Sequence, residues 1–210
     1  MRVGAIVPVK TFSKAKTRLN LSSEITSNIC EMMLESVLHA ISNSEIIEKT
    51  LLVSKDSKAL DIGKKFGAIG IYDEDELGVN HAVRLADSYF LKEEYDATIV
   101  FPQDIPLIQP EDIRTLFEMK TSNRCVLVVP SRKFDGTNAL LRTPTDIMET
   151  HYDEDSYKIH LNVAEQKNAS TALALIRRIM LDVDDQSDLR LVSSYSDFGI
   201  SSSLAKILNS

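Results

Sequence analysis

The recurrence of short, unbroken apolar runs limits the folds open to this chain more than any other feature. Runs rich in branched residues fall at Val3–Val9, Thr50–Ser54, Ala68–Tyr72, Ala97–Phe101 and Cys125–Val129. Unbroken apolarity, rather than in–out alternation, suits strands covered on both faces, as in parallel sheets. Parallel strands need long crossovers, and the segments between the runs carry helical spacing. Over 24–42, Ile25, Ile29, Met32, Met33, Val37, Ala40 and Ile41 form one stripe. Ser22 or Ser23 can cap that helix, and Glu24 and Glu31 suit its N-terminal half. Over 79–91, Val79, Ala82, Val83, Ala86, Tyr89 and Phe90 form a second stripe, and Pro110-Glu111-Asp112 opens a third helix. Alternating strands and helices predict a three-layer α/β/α fold with a mostly parallel, mixed sheet. Beyond about residue 130 the rhythm loosens. A short strand is expected at Ala139-Leu140-Leu141, a helix over Asp155–Gln166, a strand over Ile176–Val183 and a helix over Ser201–Leu208. No repeat, linker or low-complexity stretch divides the sequence, so 1–210 reads as a single domain.

Composition excludes several function classes. With 24 Lys+Arg against 31 Asp+Glu the net charge is −7. Such a balance disfavours a general nucleic-acid binder, because phosphate contacts dominate that affinity. No apolar run is long enough for a membrane span. The opening residues lack the basic region, apolar core and cleavage site of a signal peptide, so the cytoplasm is expected. Cys30 and Cys125 lie far apart in unlike contexts and read as small buried apolar residues rather than as a metal knuckle or disulfide.

The net charge hides an asymmetry. Residues 1–23 hold Arg2, Lys10, Lys14, Lys16 and Arg18 and no acid, whereas 182–188 hold Asp182, Asp184, Asp185 and Asp188 and no base. In open α/β sheets ligands bind beyond the carboxyl ends of the strands, and three charged segments are expected there. Lys10 to Arg18 puts four cations just after the first strand, suited to a polyphosphate; alone it reads equally well as a solvated loop. It is not a Walker loop, having no glycine before a Lys-Ser/Thr pair. Asp104, between Pro102 and Pro106, is a natural magnesium ligand or a simple turn cap. Asp182 and Asp184 share a face of an extended segment and can converge on one hard cation, or merely form a polar strand exit. Together the three supply the parts of a phosphate-plus-magnesium site. There is no Gly-x-Ser-x-Gly elbow; His39, His81, His151 and His160 stand alone; the acidic runs 73–76 and 153–155 fail the EF-hand pattern and read as solvated loops.

The order of these blocks resembles one family. Pro8-Val9-Lys10 with Ala15-Lys16-Thr17-Arg18-Leu19, Asp104-Ile105-Pro106-Leu107, Asp135-Gly136-Thr137-Asn138-Ala139-Leu140-Leu141, and Leu181-Asp182-Val183-Asp184 with Asp188-Leu189 are similar to the 2-phospho-L-lactate guanylyltransferases of coenzyme F420 biosynthesis. The resemblance spans nearly the whole chain. It implies a nucleotide-diphospho-sugar transferase-like (GT-A-like) fold, a homodimer, and GTP as donor. The phosphate of 2-phospho-L-lactate, or of phosphoenolpyruvate, would attack the α-phosphorus and release pyrophosphate. It also implies Mg2+ on Asp104, Asp182 and Asp184. Gly78 and Asn80 would face the nucleotide, and Thr137, Asn138 and Ser156 the acceptor. The family has a glycine-containing turn before its Ser-Phe pair, whereas this chain has Tyr152-Asp153-Glu154-Asp155-Ser156-Tyr157.

This chemistry fits the residues on physical grounds. A phosphate nucleophile is already an anion, so it needs positioning and charge neutralisation rather than a general base. Lys10, Lys16 and Arg18 would stabilise the triphosphate and the departing pyrophosphate, with Lys16, Arg18 and Asp104 closest to the reaction. Lys14, outside the matching block, is expected to face solvent. Nothing in the residues themselves prefers guanine. The alternatives are another sugar- or pterin-phosphate nucleotidyltransferase, whose usual glycine-rich first loop is missing, and a regulatory module that binds nucleotide without catalysis.

Overall fold

A computed structural model describes residues 1–153, 155–195 and 197–208. Its strands are β1 (Val3–Val9), β2 (Lys49–Ser54), β3 (Ile69–Tyr72), β4 (Ala97–Val100), β5 (Cys125–Pro130), β6 (Thr137–Thr143) and β7 (Ser170–Leu173). They form one sheet in the order β3-β2-β1-β4-β6-β5-β7. Only β6 runs against the rest, pairing antiparallel with both β4 and β5. The four central strands β1, β4, β5 and β6 are buried along their whole length, which is why β1, β4 and β5 read as unbroken apolar runs; β6 shows only its Ala139-Leu140-Leu141 centre, because its buried ends are polar.

Each face of the sheet carries its own core. On one, Val3, Ala5, Val7 and Val9 of β1 meet α1 (Ser23–Ser42), α2 (Ser57–Lys65), α4 (Pro110–Glu118), α6 (Gln186–Ser193) and α7 (Gly199–Leu208). On the other, Ile6, Leu51 and Val128 meet Val83, Ala86 and Phe90 of α3 (Val79–Lys92) and Ala164 of α5 (Ser156–Gln166). These are the three layers expected. Gly4 lets α3 lie close: a β-carbon there would fall 2.3 Å from the Phe90 ring. Ser22 caps α1, its Oγ accepting the Ile25 N–H at 3.3 Å. No helix among the described residues is long and apolar enough to cross a membrane.

Two expectations need correction. The segment 176–183 is not a strand. Residues 177–180 form a turn, closed by the Met180 N–H on the Ile176 carbonyl at 3.0 Å, and 181–184 join no strand of the sheet. Alternate burial of Ile179, Leu181 and Val183 imitates a strand because these residues cover the core from the side. The seventh strand lies earlier, at Ser170–Leu173, where its edge position leaves it mostly exposed and without an apolar signature. The edge strand β3 is likewise mostly exposed rather than covered on both faces. Helices α2 and α6 complete the set. Their sequence signals are the N-caps Asp56 and Asp185, whose side chains accept from the amides of the first turn.

Candidate active site

The cationic segment leaves the carboxyl end of β1 and folds into two short 3-10 turns, Phe12–Lys14 and Thr17–Leu19. Phe12 and Leu19 are buried and anchor it. The run 73–76 is not simply solvated, because it fastens this loop. Glu76 Oε1 accepts the Thr11 N–H at 2.6 Å and Oε2 pairs with Lys14 at 3.0 Å. Burial alone would raise the Glu76 pKa, but Thr11 and Lys14 outweigh it and bring the carboxyl down to about 2. Asp73 is buried beneath, accepting the Glu76 N–H at 3.1 Å. Lys14 is exposed, as expected, while making that pair.

Lys16 lies between the two turns in the left-handed conformation, φ 53°. Its ammonium reaches the Asp104 carboxylate and, at 2.6 Å, that of Asp184. Burial disfavours that charge, but Asp104 and Asp184 prevail and raise the pKa. The cationic start of the chain and its anionic end thus meet across 168 positions of sequence. Gln186 adds a second tie, donating to the Leu19 carbonyl at 2.9 Å. The carboxylate segments are joined by their backbones as well, since the Val183 N–H donates to the Asp104 carbonyl at 3.0 Å. Asp182, between them in sequence, has its pKa raised to about 6, first by burial and then by the neighbouring Asp104 charge. Asp185 and Asp188 do different work. They cap α6, and both pair with Lys133.

The candidate acceptor residues form a hydrogen-bonded layer. The His151 N–H donates to His160 Nε2 at 2.9 Å, so that nitrogen carries no proton. Neutral His160 must then be protonated at Nδ1, and it donates to Thr137 Oγ1 at 3.1 Å. Ser156 Oγ donates to the same oxygen at 3.0 Å. With two bonds accepted, the Thr137 hydroxyl has its own proton left to give, and Thr137 lines the cleft. The histidines therefore do not all stand alone. Burial pushes His160 down to about 3, keeping it neutral. Asn138 is buried, donating to the Ile179 carbonyl at 2.9 Å and hydrogen-bonding Asp182, so it braces the carboxylate segment from below. Asp155 takes the left-handed conformation before α5, φ 57°, in the turn that lacks glycine. Glu154, of the same acidic run, falls outside the described residues.

A cleft of about 380 Å³ opens over this ground, lined by Lys10, Lys16, Arg18, Asp104, Thr137 and Asp184 among others. Lys10 and Arg18 are exposed in it, and neither makes an ion pair among the described residues. A second cleft of about 350 Å³ adjoins it, sharing Pro8, Lys10, Val79 and Tyr152. Gly78 lines this one at the start of α3 with φ 99°, a conformation that disfavours any side chain. Asn80 is set back: its Oδ1 accepts the Tyr152 N–H at 2.8 Å and positions that loop. A third depression, about 420 Å³, lies against α1 and α7; it includes His39 but none of the residues expected to bind nucleotide, acceptor or metal.

Comparison with known proteins decides among the readings. A sequence profile described as guanylyl transferase CofC like matches residues 2–196. The chain belongs to this family. It is 32% identical to phosphoenolpyruvate guanylyltransferase of Conexibacter woesei over 90% of this chain and 86% of that protein. It is 30% identical to 2-phospho-L-lactate guanylyltransferase of Methanobrevibacter smithii over 88% and 80%. Among solved structures, a putative nucleotide-diphospho-sugar transferase from Desulfovibrio desulfuricans superposes with TM-score 0.75, covering 100% of this chain and 95% of that one at 15% identity. A cytidylyltransferase from Leptospira borgpetersenii superposes at TM-score 0.62, also at 15% identity, covering 100% and 94%. The fold is that of the nucleotidyltransferases, and the chain is an enzyme of nucleotidyl transfer.

Proposed function

We propose that the enzyme transfers the guanylyl group of GTP to the phosphate of a small phosphorylated acid, 2-phospho-L-lactate or phosphoenolpyruvate, in coenzyme F420 biosynthesis. The observation that carries this reading is the meeting of Lys16 with Asp104 and Asp184 in a cleft also lined by Lys10 and Arg18, two cations without an ion pair among the described residues. An acceptor phosphate oxygen bonds to the α-phosphorus, the bond from that phosphorus to the β-bridging oxygen breaks, and pyrophosphate leaves with the electron pair. The acceptor needs no deprotonation. The chain's tasks are to hold two polyanions together and to offset charge developing on the leaving group. Lys10 and Arg18 stand free for the triphosphate, Arg18 offering a planar fork and Lys10 a point charge. Thr137 offers its proton to the acceptor.

Among the described residues no trio of His, Cys, Asp or Glu is arranged as a ready metal cage. The donor set nonetheless fits Mg2+. Two carboxylates already share one cation, the Lys16 ammonium, and a third carboxyl is close enough to be perturbed by both. Asp104, Asp182 and Asp184 would hold the ion, which supplies positive charge to the α-phosphate. Lys16, its carboxylates then neutralised, is available to the phosphates. We expect residues 1–210 to act as one nucleotidyltransferase unit, as a cytoplasmic homodimer, on small molecules rather than nucleic acid or membranes.

The test is a screen of GTP, ATP, CTP and UTP against both acceptors, with the product read by mass. A guanosine diphosphate-linked acid is expected. Product from another nucleotide alone, or pyrophosphate release without any acceptor, would overturn the reading.

A further inference from the structure

The second cleft lies at the carboxyl ends of β1, β2 and β3. Its walls are largely apolar, from Pro8, Val9, Val53, Val79 and Ala82. Two acids enter it, Asp73 and Glu76. Both oxygens of Glu76 are already occupied, by the Thr11 N–H and by Lys14. Asp73 differs. It follows β3 directly, its own N–H held by the Ser54 carbonyl at 3.0 Å, and it is only 5% exposed. Oδ1 accepts the Glu76 N–H at 3.1 Å and has His81 Nε2 at 3.8 Å. Oδ2 has no donor among the described residues. That oxygen is no buried orphan: it faces the cleft, where the donors of a ligand can replace water on it. The cleft lies at the same mouth as the cationic one and shares Lys10 with it, so a nucleotide whose phosphates face Lys10 and Arg18 would direct its base here.

We propose that Asp73 is the residue that reads guanine. This rests on the guanylyl-transfer reading and adds the determinant of base choice. Guanine presents two adjacent donors on one edge, the ring N1–H and the exocyclic N2 amine, and a carboxylate accepts from both. Adenine presents a bare ring nitrogen at the matching place. It would set a lone pair against the Asp73 charge and leave the carboxylate unmet, which rejects it as well as failing to bind it. Val53, Val79 and Ala82 enclose the base and exclude competing water. The backbone hold on Asp73 through Ser54 and Glu76 fixes the carboxylate before nucleotide arrives, so little ordering cost remains on binding.

Steady-state kinetics with GTP, inosine triphosphate, N1-methyl-GTP and ATP test this on the wild-type chain and on Asp73→Asn. Inosine triphosphate lacks only the exocyclic amine, and N1-methyl-GTP lacks the ring N–H. In the wild type each loss is expected to lower kcat/KM by about ten- to a hundredfold, the usual range for one hydrogen bond to a charged group. In Asp73→Asn, kcat/KM for GTP should fall by a similar factor while the GTP-to-inosine-triphosphate ratio shrinks toward one. Acceptor KM should not change. A folded Asp73→Asn, checked by its unfolding midpoint, that keeps the full ratio would overturn the assignment. So would a wild type that uses N1-methyl-GTP as well as GTP, a result that stands even if the variant fails to fold. If GTP itself is no substrate, the guanylyl reading falls first and this one with it. If GTP is used with no dependence on the guanine edge, only this inference falls.

Discussion

At the scale of single residues, Lys16 carries the most consequence. Its side chain is 9% exposed, so Asp104 and Asp184 face each other across a nearly dry ammonium. In Lys16→Met the two carboxylates lose that cation. The folded state should weaken by roughly 1–3 kcal/mol, less than for a fully buried pair because Asp184 is partly solvated. The same change opens the site to a competing cation. Mg2+ should therefore raise the unfolding midpoint of Lys16→Met more than that of the wild type, while transfer falls and GTP binding weakens. Equal Mg2+ shifts in the two proteins would show that ion and ammonium do not compete. Thr137 gives a second case. Thr137→Val keeps shape and removes the only proton the hydroxyl has to give. Acceptor KM should rise about ten- to a hundredfold with GTP KM unchanged, and Thr137→Ser should recover most of it. An unmoved acceptor KM would remove Thr137 from the acceptor site. The side chains at the site were legible in sequence by type, since Lys, Arg and Asp after strands leave few other uses. Their roles were legible less evenly. That Asn138 braces Asp182 rather than lining the cleft, and that His160 orients a hydroxyl, depends on contacts made across tens of residues. No local pattern encodes them.

At the scale of elements, what could be read followed burial. The central strands announce themselves because both their faces are covered, and α1 and α3 because one face is. The strand β7 has neither property, and residues 176–183 have the apolar content of a strand without a ladder to join. Helix α6 was hidden in an acidic run: Asp185 and Asp188 read only as part of the charge at 182–188 until they are seen as the two halves of a reciprocal cap. The close approach of α3 to β1 was also invisible, because a glycine in a strand usually signals weakness. Gly4 is instead the site where the Phe90 ring meets β1. Phe90 is fully buried and packs edge-on against Tyr89 and Tyr95, with ring centroids 5.8 and 4.8 Å away, so it has no room to retreat. Gly4→Ala is thus expected to destabilise the fold by about 1–3 kcal/mol, despite alanine's better strand propensity. Chemical denaturation reads this directly, and pairing with Phe90→Leu should restore part of the loss. A neutral Gly4→Ala would mean that α3 shifts freely on the sheet.

At the scale of the whole molecule, the net charge of −7 is a sum over two unlike regions, and the fold brings them together at one mouth. That arrangement leaves its mark on stability as a function of pH. His160 has its pKa pushed from an ordinary 6.5 to about 3 by burial, with the charges of His151 and Arg142 adding to the effect. Between those values the unfolded chain binds a proton there that the native chain does not. Stability from this group is complete above about pH 6.5 and is lost as pH falls toward 3, with a limiting slope of about 1.4 kcal/mol per pH unit. Asp182 acts in the opposite sense: its pKa is raised from 3.8 to about 6, so the native chain holds the extra proton and stability declines as pH rises through that window. The wild-type profile between about pH 4 and 6 is therefore a near-cancellation. Comparing the wild type with His160→Gln isolates the first term, because both proteins carry Asp182. In His160→Gln the acid-side loss should disappear and stability should rise on acidification from pH 6 toward 4. Urea midpoints taken across that range at constant ionic strength decide the matter, and parallel profiles for the two proteins would mean that His160 titrates normally and that the Thr137 hydroxyl is not held by a neutral ring.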